Sequence, residues 1–255
     1  MERITRINLP TVDSTNDFVR EMIEAERTGQ VMSVHSLPGL TLVVADDQTA
    51  GRGQRGNTWE TEKGKNLMFS LLCHPDFVKP AEQFILSQCM AVAIQEALSR
   101  YVSDVQVKWP NDIYVGDKKV SGTLIECDLQ GKAISNCIIG VGINVNQTEF
   151  RSDAPNPTSL RLLTGQEHDG EAILLEVIRG FQVYYEMVRE GKAEEVRRLY
   201  LSCLYRRNGF HRYSDVRGEF IAEIADVEPT GHLLLRFEGG RVVRYELKEV
   251  RFIMD

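Results

Sequence analysis

The sequence predicts an α+β fold in which a mixed or antiparallel sheet packs with helices and a small β domain follows. Three observations support this fold. Helical apolar spacing recurs within the first two hundred residues, β-rich runs between residues 105 and 146 are separated only by turn residues, and the chain after residue 208 contains only short β-rich runs. The middle runs therefore indicate an antiparallel meander, and the last ones a small appended barrel.

The first predicted helix covers residues 13–26. Ser14 or Thr15 can accept a hydrogen bond from the free N–H groups of its first turn, so either can be the N-cap. One face repeats apolar side chains at helical spacing, namely Phe18, Val19, Met22 and Ile23. A buried helix is predicted at 81–101, which lacks Gly and Pro, and two more helices at about 171–190 and 193–206.

Strands are predicted wherever short apolar runs end in turn residues. Before the meander they lie at 42–46 and 67–73, and within it at 105–110, 112–116, 118–127 and 133–146. The C-terminal runs lie at 219–226, 233–237, 242–245 and 250–253. The polar segment 147–160 is long enough to be a functional loop.

Composition excludes several classes of protein. The 255 residues are 42% apolar and carry a net charge of −7, which argues against a general nucleic-acid binder but allows a local basic loop. The five cysteines are dispersed, as in a reduced cytoplasmic protein, and no two histidines have metal-ligand spacing. Neither a signal peptide nor a membrane-spanning run is evident.

The glycine-rich loop GRGQRG, residues 51–56, matches two phosphate-binding patterns at first sight. A dinucleotide fingerprint requires a helix to begin at the third glycine, and a β-like apolar run follows instead. A P-loop requires lysine where this chain has Asn57. Arg52 and Arg55 beside N–H-rich backbone nevertheless suit an anion, so we expect a phosphate loop of another kind.

Five motifs in order resemble the biotin protein ligase family. They are DSTN at 13–16, DQTA at 47–50, KWPND at 108–112, KVSGTLIE at 119–126 and GVGINVN at 140–146, around the GRG loop. Each motif alone is weak, but their order and spacing are specific. The chain is similar to the form that lacks an N-terminal DNA-binding domain, since only about a dozen residues precede DSTN.

The resemblance implies a class II aminoacyl-tRNA synthetase-like catalytic domain over residues 1–207 and an SH3-like barrel over residues 208–255. It implies a ligase that joins biotin to ATP as biotinyl-5′-AMP, with Mg²⁺, and passes biotin to a lysine of a biotin carboxyl carrier domain. It also implies no DNA or membrane partner and allows a homodimer.

The resemblance also assigns site residues. Ser14, Thr15, Asn16 and Gln48 match positions that hold the ureido ring of biotin, whose donors and acceptor suit hydroxyls and amides. Arg52, Gly53 and Gln54 match the loop over the biotinyl phosphate, and Lys119 matches the lysine between carboxylate and α-phosphate. The remaining nucleotide-binding positions are Gly51, Arg55, Trp59, Lys108, Asn111, Asp112 and Asn144.

Some of these assignments remain open. Asp112 can hold Mg²⁺ or water, or can accept hydrogen bonds from the incoming lysine. Trp59 is either a lid over the ligand or ordinary core packing. Gln54 departs from the family, many of whose members have a basic residue there, so we expect weaker retention of the adenylate. The alternatives to a biotin ligase are a lipoate protein ligase of the same superfamily and a non-catalytic biotin-sensing module.

Overall fold

The computed structural model describes residues 2–28, 39–53, 57–151 and 156–254. Within these ranges the chain forms a seven-stranded sheet that carries helices, and a separate five-stranded sheet built from C-terminal residues. The α+β prediction is confirmed at this level.

The larger sheet is mixed. Its strands are β1 (Ile4–Leu9), β2 (Leu40–Ala45), β3 (Leu67–Cys73), β4 (Val105–Lys108), β5 (Asp112–Val115), β6 (Lys118–Gln130) and β7 (Ala133–Ile143), in the order β1-β2-β3-β7-β6-β5-β4. The pair β1–β2 is parallel and all other pairs are antiparallel, so the meander from β4 to β7 is as predicted.

Five α-helices lie in the described ranges. They are α1 (Thr15–Arg27), α2 (Phe84–Leu98), α3 (Leu160–Thr164), α4 (Gly170–Arg189) and α5 (Ala193–Ser202). Ser14 rather than Thr15 caps α1, since its side chain accepts the Asp17 N–H. No helix in these ranges is both long and apolar enough to cross a membrane.

Two helix boundaries differ from the prediction for local reasons. A short 3₁₀ helix at Pro80–Glu82 precedes α2, which therefore begins at Phe84. Helix α5 ends at Ser202 because the following residues pair with the edge strand β4. The Val107 N–H donates to the carbonyl of Cys203, and the Tyr205 N–H donates to the carbonyl of Val107.

The two faces of the larger sheet are covered differently. On one face, α1 buries Val19 and Ile23 against Val43, Leu72 and Ile138. On the other, α2 and α4 pack over the main hydrophobic core. Alternate residues of one strand therefore enter different cores, as expected for a sheet with both faces covered.

The C-terminal sheet is antiparallel throughout. Its strands are β8 (His211–Asp215), β9 (Gly218–Val227), β10 (Leu233–Phe237), β11 (Val242–Tyr245) and β12 (Arg251–Phe252), in the order β11-β10-β9-β8-β12. Four of these strands match runs predicted from the sequence, whereas β8 was not predicted; Tyr213 is its sole buried apolar residue. The Trp109 indole N–H donates to the Gly231 carbonyl (2.9 Å) and so joins the two sheets at the KWPND motif.

Candidate active site

A cavity of about 630 Å³ lies where the first turn of α1, the glycine-rich loop and strands β5 to β7 meet. It brings together eleven residues predicted from the sequence: Ser14, Thr15, Asn16, Gln48, Arg52, Gly53, Trp59, Lys108, Asp112, Lys119 and Asn144. Gly51 and Asn111 are buried next to lining residues but are not part of the cavity wall. Gln54 and Arg55 lie outside the described residues.

One end of the cavity is polar and uncharged. Gln48 Oε1 accepts hydrogen bonds from the backbone N–H (2.7 Å) and the hydroxyl (3.1 Å) of Thr15. Ser14 and Thr15 are almost completely buried because they form the first turn of α1 against the sheet. With its oxygen occupied, the Gln48 amide retains its N–H₂ as a donor for a ligand.

Asn16 is fixed on both sides of its amide. Its Oδ1 accepts from the buried hydroxyl of Ser70 (2.6 Å), and its Nδ2 donates to Glu126 Oε2 (2.9 Å). A Cβ at Gly140 would lie 2.1 Å from this Oδ1. Glycine at position 140 is therefore required for Asn16 to lie flat on strand β7.

The glycine-rich loop is held at its base. The Trp59 N–H donates to the Gly51 carbonyl (2.8 Å), and the Gly53 N–H donates to the Asn57 carbonyl (2.7 Å). Arg52 projects from this base toward α1, where its guanidinium pairs with Asp17 and with Glu126 (2.9 Å). In this structure Arg52 is therefore attached to protein carboxylates at the edge of the cavity.

The Trp59 side chain lies flat on the sheet rather than in a hydrophobic core. A Cβ at Gly142 would lie 2.3 Å from Trp59 Cε2, and one at Gly122 would lie 3.1 Å from Cζ3. These two glycines pair across β6 and β7 and leave a shallow floor for the indole. The indole Nε1–H of Trp59 has no partner among the described residues, as expected for a ring that covers a ligand site.

The Gly142→Ala substitution is expected to displace the Trp59 indole, because its new methyl group cannot fit beneath the ring. The tryptophan emission should shift to longer wavelength, with the Trp109 contribution measured in a Trp59→Phe variant. Gly170→Ala is the matched control, since a Cβ there meets only Leu67 at 3.4 Å. An unchanged spectrum for Gly142→Ala would contradict this placement of Trp59.

The other end of the cavity is charged. Lys119 Nζ lies 2.7 Å from Asp112 Oδ1 and 5.8 Å from the centre of the Trp59 ring. The backbone of Lys119 is clamped from outside, because its N–H donates to the Asn156 carbonyl and its carbonyl accepts from Thr158, both at 2.8 Å. The hairpin of β5 and β6 thus directs a half-buried ammonium and its counterion into the cavity.

Lys108 adds a second amine at this end. Its Nζ donates to the Tyr114 hydroxyl (3.1 Å) and lies 5.4 Å from the ring centre of Phe252, a residue of the C-terminal sheet. Burial lowers the pKa of Lys108 to about 8; nearby Asp112 opposes this shift, and the charge of Lys119 adds to it. Lys108 is therefore still mostly protonated at neutral pH, although its pKa is lower than that of an exposed lysine.

Asn144 lines the cavity and has a buried acceptor without a partner among the described residues. Its Nδ2 donates to the Thr158 carbonyl (3.0 Å), and no donor among the described residues reaches its buried Oδ1. A buried amide oxygen without a partner is costly, so a ligand donor or a cation suits this position.

Sequence reasoning missed several residues of this site. Ser70 and Glu126 support Asn16, while Gly122, Gly140 and Gly142 make room for side chains above the sheet. The signal was present in the alternation of GVG and in the acidic residue that ends KVSGTLIE. It could not be interpreted without knowing which strands are neighbours.

Comparisons with known proteins agree on one family. Residues 11–144 match the model of the biotin/lipoate A/B protein ligase family. The bifunctional ligase/repressor BirA of Bacillus subtilis is 30% identical over 221 residues, which cover 84% of this chain and 67% of that protein. The biotin–[acetyl-CoA-carboxylase] ligase of Paracoccus denitrificans is 31% identical over 145 residues, or 54% of this chain and 60% of that protein.

A solved structure extends the likeness beyond the family model. The biotin protein ligase from Aquifex aeolicus in complex with biotin and ATP superposes with a TM-score of 0.76 at 28% identity, covering 98% of this chain and 99% of that one. The likeness therefore includes the C-terminal sheet as well as the larger one. The family model covers more than half of this chain, which thus belongs to the biotin/lipoate A/B protein ligase family.

Proposed function

We propose that this protein is an ATP-dependent ligase that activates biotin as biotinyl-5′-AMP and transfers it to a lysine of a biotin carboxyl carrier domain. The observation that carries the proposal is the composition of the cavity described above. It joins a neutral hydrogen-bonding end at Thr15 and Gln48 to a charged end at Lys119 and Asp112. A ligand with an uncharged polar head and a reactive carboxylate fits this division.

The neutral end suits the ureido ring of biotin. The Gln48 N–H₂ and the Ser14 and Thr15 hydroxyls offer donors and acceptors to a buried urea, and Asn16 lies beside them. Because these groups are buried, an unmatched polar head would leave them without partners. This end therefore selects the ring, while the charged end receives the carboxylate.

In the first reaction, the ionised carboxylate of biotin attacks the α-phosphorus of ATP, and pyrophosphate leaves. No base is needed, because a carboxylate is already deprotonated at neutral pH. The obstacle is the approach of two anions. Lys119, with Arg52 and Arg55 of the loop, would offset this repulsion and stabilise the charge that develops on phosphorus.

In the second reaction, the amine of the acceptor lysine attacks the acyl carbon of biotinyl-AMP; an amide bond forms and AMP leaves. An amine with an ordinary pKa near ~10.4 is protonated at neutral pH and must lose that proton first. Asp112 lies in the cavity beside Lys119, where it can accept hydrogen bonds from the incoming amine. Lys119 would then be released to the adenylate phosphate.

The residues at the charged end also fit Mg²⁺. Asp112 and Asn144 both line the cavity, and the Asp112 carboxylate and the unpartnered Asn144 Oδ1 are hard oxygen donors. Magnesium in nucleotide sites is commonly held by one or two carboxylates and by substrate phosphates. When bound, the ion would neutralise phosphate charge, and Asp112 and Asn144 would be its protein ligands.

Gln54 is the departure that affects the adenylate most directly. The Gln54→Arg variant is expected to release biotinyl-AMP more slowly than the wild type, by about five- to tenfold, because it gains a charge-assisted hydrogen bond to the phosphate. Stopped-flow measurement of adenylate dissociation tests this. Equal off-rates would refute it.

We propose two domains, a class II aminoacyl-tRNA synthetase-like catalytic domain over 1–207 and an SH3-like domain over 208–255. The start of β8 at His211 supports this boundary. The net charge of −7 and the five free thiols support a cytoplasmic ligase without a DNA partner. We also propose a second copy of this chain as a partner, in a homodimer.

Exchange of labelled pyrophosphate into ATP tests the activity and its closest alternative together. We expect exchange with biotin and none with lipoate. Exchange with lipoate alone would favour a lipoate protein ligase, and binding of biotin without exchange would favour a sensing module.

A further inference from the structure

Glu126 lies behind the cavity and contacts both Asn16 of α1 and Arg52 of the glycine-rich loop. It lies near the middle of β6 with its side chain turned toward α1, and 21% of that side chain is exposed. Its Oε2 accepts from Asn16 Nδ2, and its Oε1 accepts from Arg52 Nη2, both at 2.9 Å. Arg20 Nη2 is slightly more distant from Oε1, at 3.4 Å. One carboxylate thus holds both Asn16, which lies beside the neutral end of the cavity, and Arg52 of the glycine-rich loop.

The hydrogen bonds around Asn16 have only one satisfactory direction. A carboxylate can only accept, so Asn16 must present its N–H₂ to Glu126 and its Oδ1 to Ser70. The single proton of Ser70 is then used on Asn16, and the Ser70 oxygen lies 2.7 Å from the Thr15 hydroxyl oxygen. The negative charge at Glu126 therefore sets the orientation of the Asn16 amide and of the Ser70 hydroxyl.

This charge is maintained in the folded protein. Burial alone raises the pKa of Glu126, but the hydrogen bonds from Asn16 and Arg52, together with the charges of Arg52 and Arg20, outweigh burial and lower the pKa below its usual value. Glu126 is therefore ionised at neutral pH. Both of its oxygens are available as acceptors.

We propose that Glu126 is a positioning residue that couples Asn16, beside the neutral end of the cavity, to Arg52 of the glycine-rich loop. This inference rests on the proposed function. A biotin that hydrogen-bonds to Asn16 would alter the hydrogen bond from Asn16 to Glu126 Oε2. The other oxygen of the same carboxylate, Oε1, accepts from Arg52. Binding of biotin at Asn16 thereby affects how firmly Glu126 holds Arg52, the arginine proposed to contact the phosphate.

Glu126→Gln tests the coupling with little change of shape. An amide has one oxygen and one N–H₂ in place of two oxygens, so it must oppose a donor of either Asn16 or Arg52. We expect the Kd for biotin and the single-turnover rate of adenylate formation each to worsen by about tenfold. Asp128→Asn is the matched control, since Asp128 lies two residues further along β6 and pairs with Arg20 and Arg27. Its biotin affinity and adenylation rate should stay within about twofold of wild type.

Double-mutant cycles separate positioning from general damage to the fold. In an Arg52→Ala background, Glu126→Gln should slow adenylation much less than in the wild type, and in an Asn16→Ala background it should weaken biotin binding much less. In both cycles, the effect of Glu126→Gln is expected to be at least about fivefold smaller in the mutant background than in the wild type. If Glu126→Gln does not fold, Glu126→Asp replaces it, since its shorter side chain cannot span both partners.

Two outcomes would overturn the inference. Either additive effects in both cycles, or a Glu126→Gln variant that behaves like Asp128→Asn, would show that Glu126 does not couple Asn16 to Arg52. A wild-type protein that forms no biotinyl-AMP would instead refute the proposed function, and it is recognised before any variant is compared.

Discussion

Replacing Lys119 with alanine is expected to lower the rate of biotinyl-AMP formation by about a thousandfold or more, because it removes a preorganised cation at the point where two anions must meet. The ammonium lies 2.7 Å from Asp112 in a half-buried setting, and its backbone is clamped by residues 156–158. The geometry of the cation is therefore largely prepared before substrate binds. Single-turnover adenylation with saturating biotin and ATP measures the effect.

The neighbouring lysine is a close control for this experiment. Lys118 is exposed on the same hairpin, so Lys118→Ala should retain adenylation within about twofold of wild type. The fold of Lys119→Ala should also survive, because the broken ion pair is partly exposed and contributes little stability. A Lys119→Ala enzyme with more than a tenth of wild-type activity would contradict the role given to this residue.

Asp112→Asn is expected to slow transfer of biotin from the adenylate to the acceptor lysine by about a hundredfold, since general-base assistance is commonly worth this much. Asparagine keeps the shape but cannot accept a proton. Transfer is measured from preformed biotinyl-AMP, so that the result is independent of the first reaction. The defect should shrink as pH rises toward ~10.4, where the amine loses its proton to solvent.

Asp117 offers the matched control for this substitution. It lies on the same hairpin, and one of its oxygens accepts from the Tyr205 hydroxyl rather than facing the cavity. Asp117→Asn should therefore leave transfer nearly unchanged. If Asp112→Asn transfers biotin as fast as Asp117→Asn does, Asp112 does not handle the proton.

Much of the fold could be predicted because the relevant signals are local. The meander from β4 to β7 follows from β-rich runs between turn residues, and α1 follows from its cap and its apolar face. Strand β1 was missed because it is a parallel edge strand, stabilised by pairing with residues more than thirty positions away. Strand β8 was missed because it buries only one large apolar side chain.

Site residues within sequence motifs could be predicted, whereas residues that act through contacts between distant strands could not. Motif residues such as Gln48, Lys119 and Asp112 meet in one cavity, as the resemblance implied. Glu126 and Ser70 were missed, since their importance comes from contacts across strands. The distance of Phe252 from Lys108 likewise depends on how the C-terminal sheet packs, which no motif encodes.

The most direct test of the proposed activity is transfer of labelled biotin to a purified carrier domain, with and without ATP. We predict one labelled lysine per carrier domain, complete dependence on ATP, and no labelling when that lysine is replaced. Labelling that needs no ATP, or a carrier that stays unlabelled while the protein binds biotin, would contradict the proposed function.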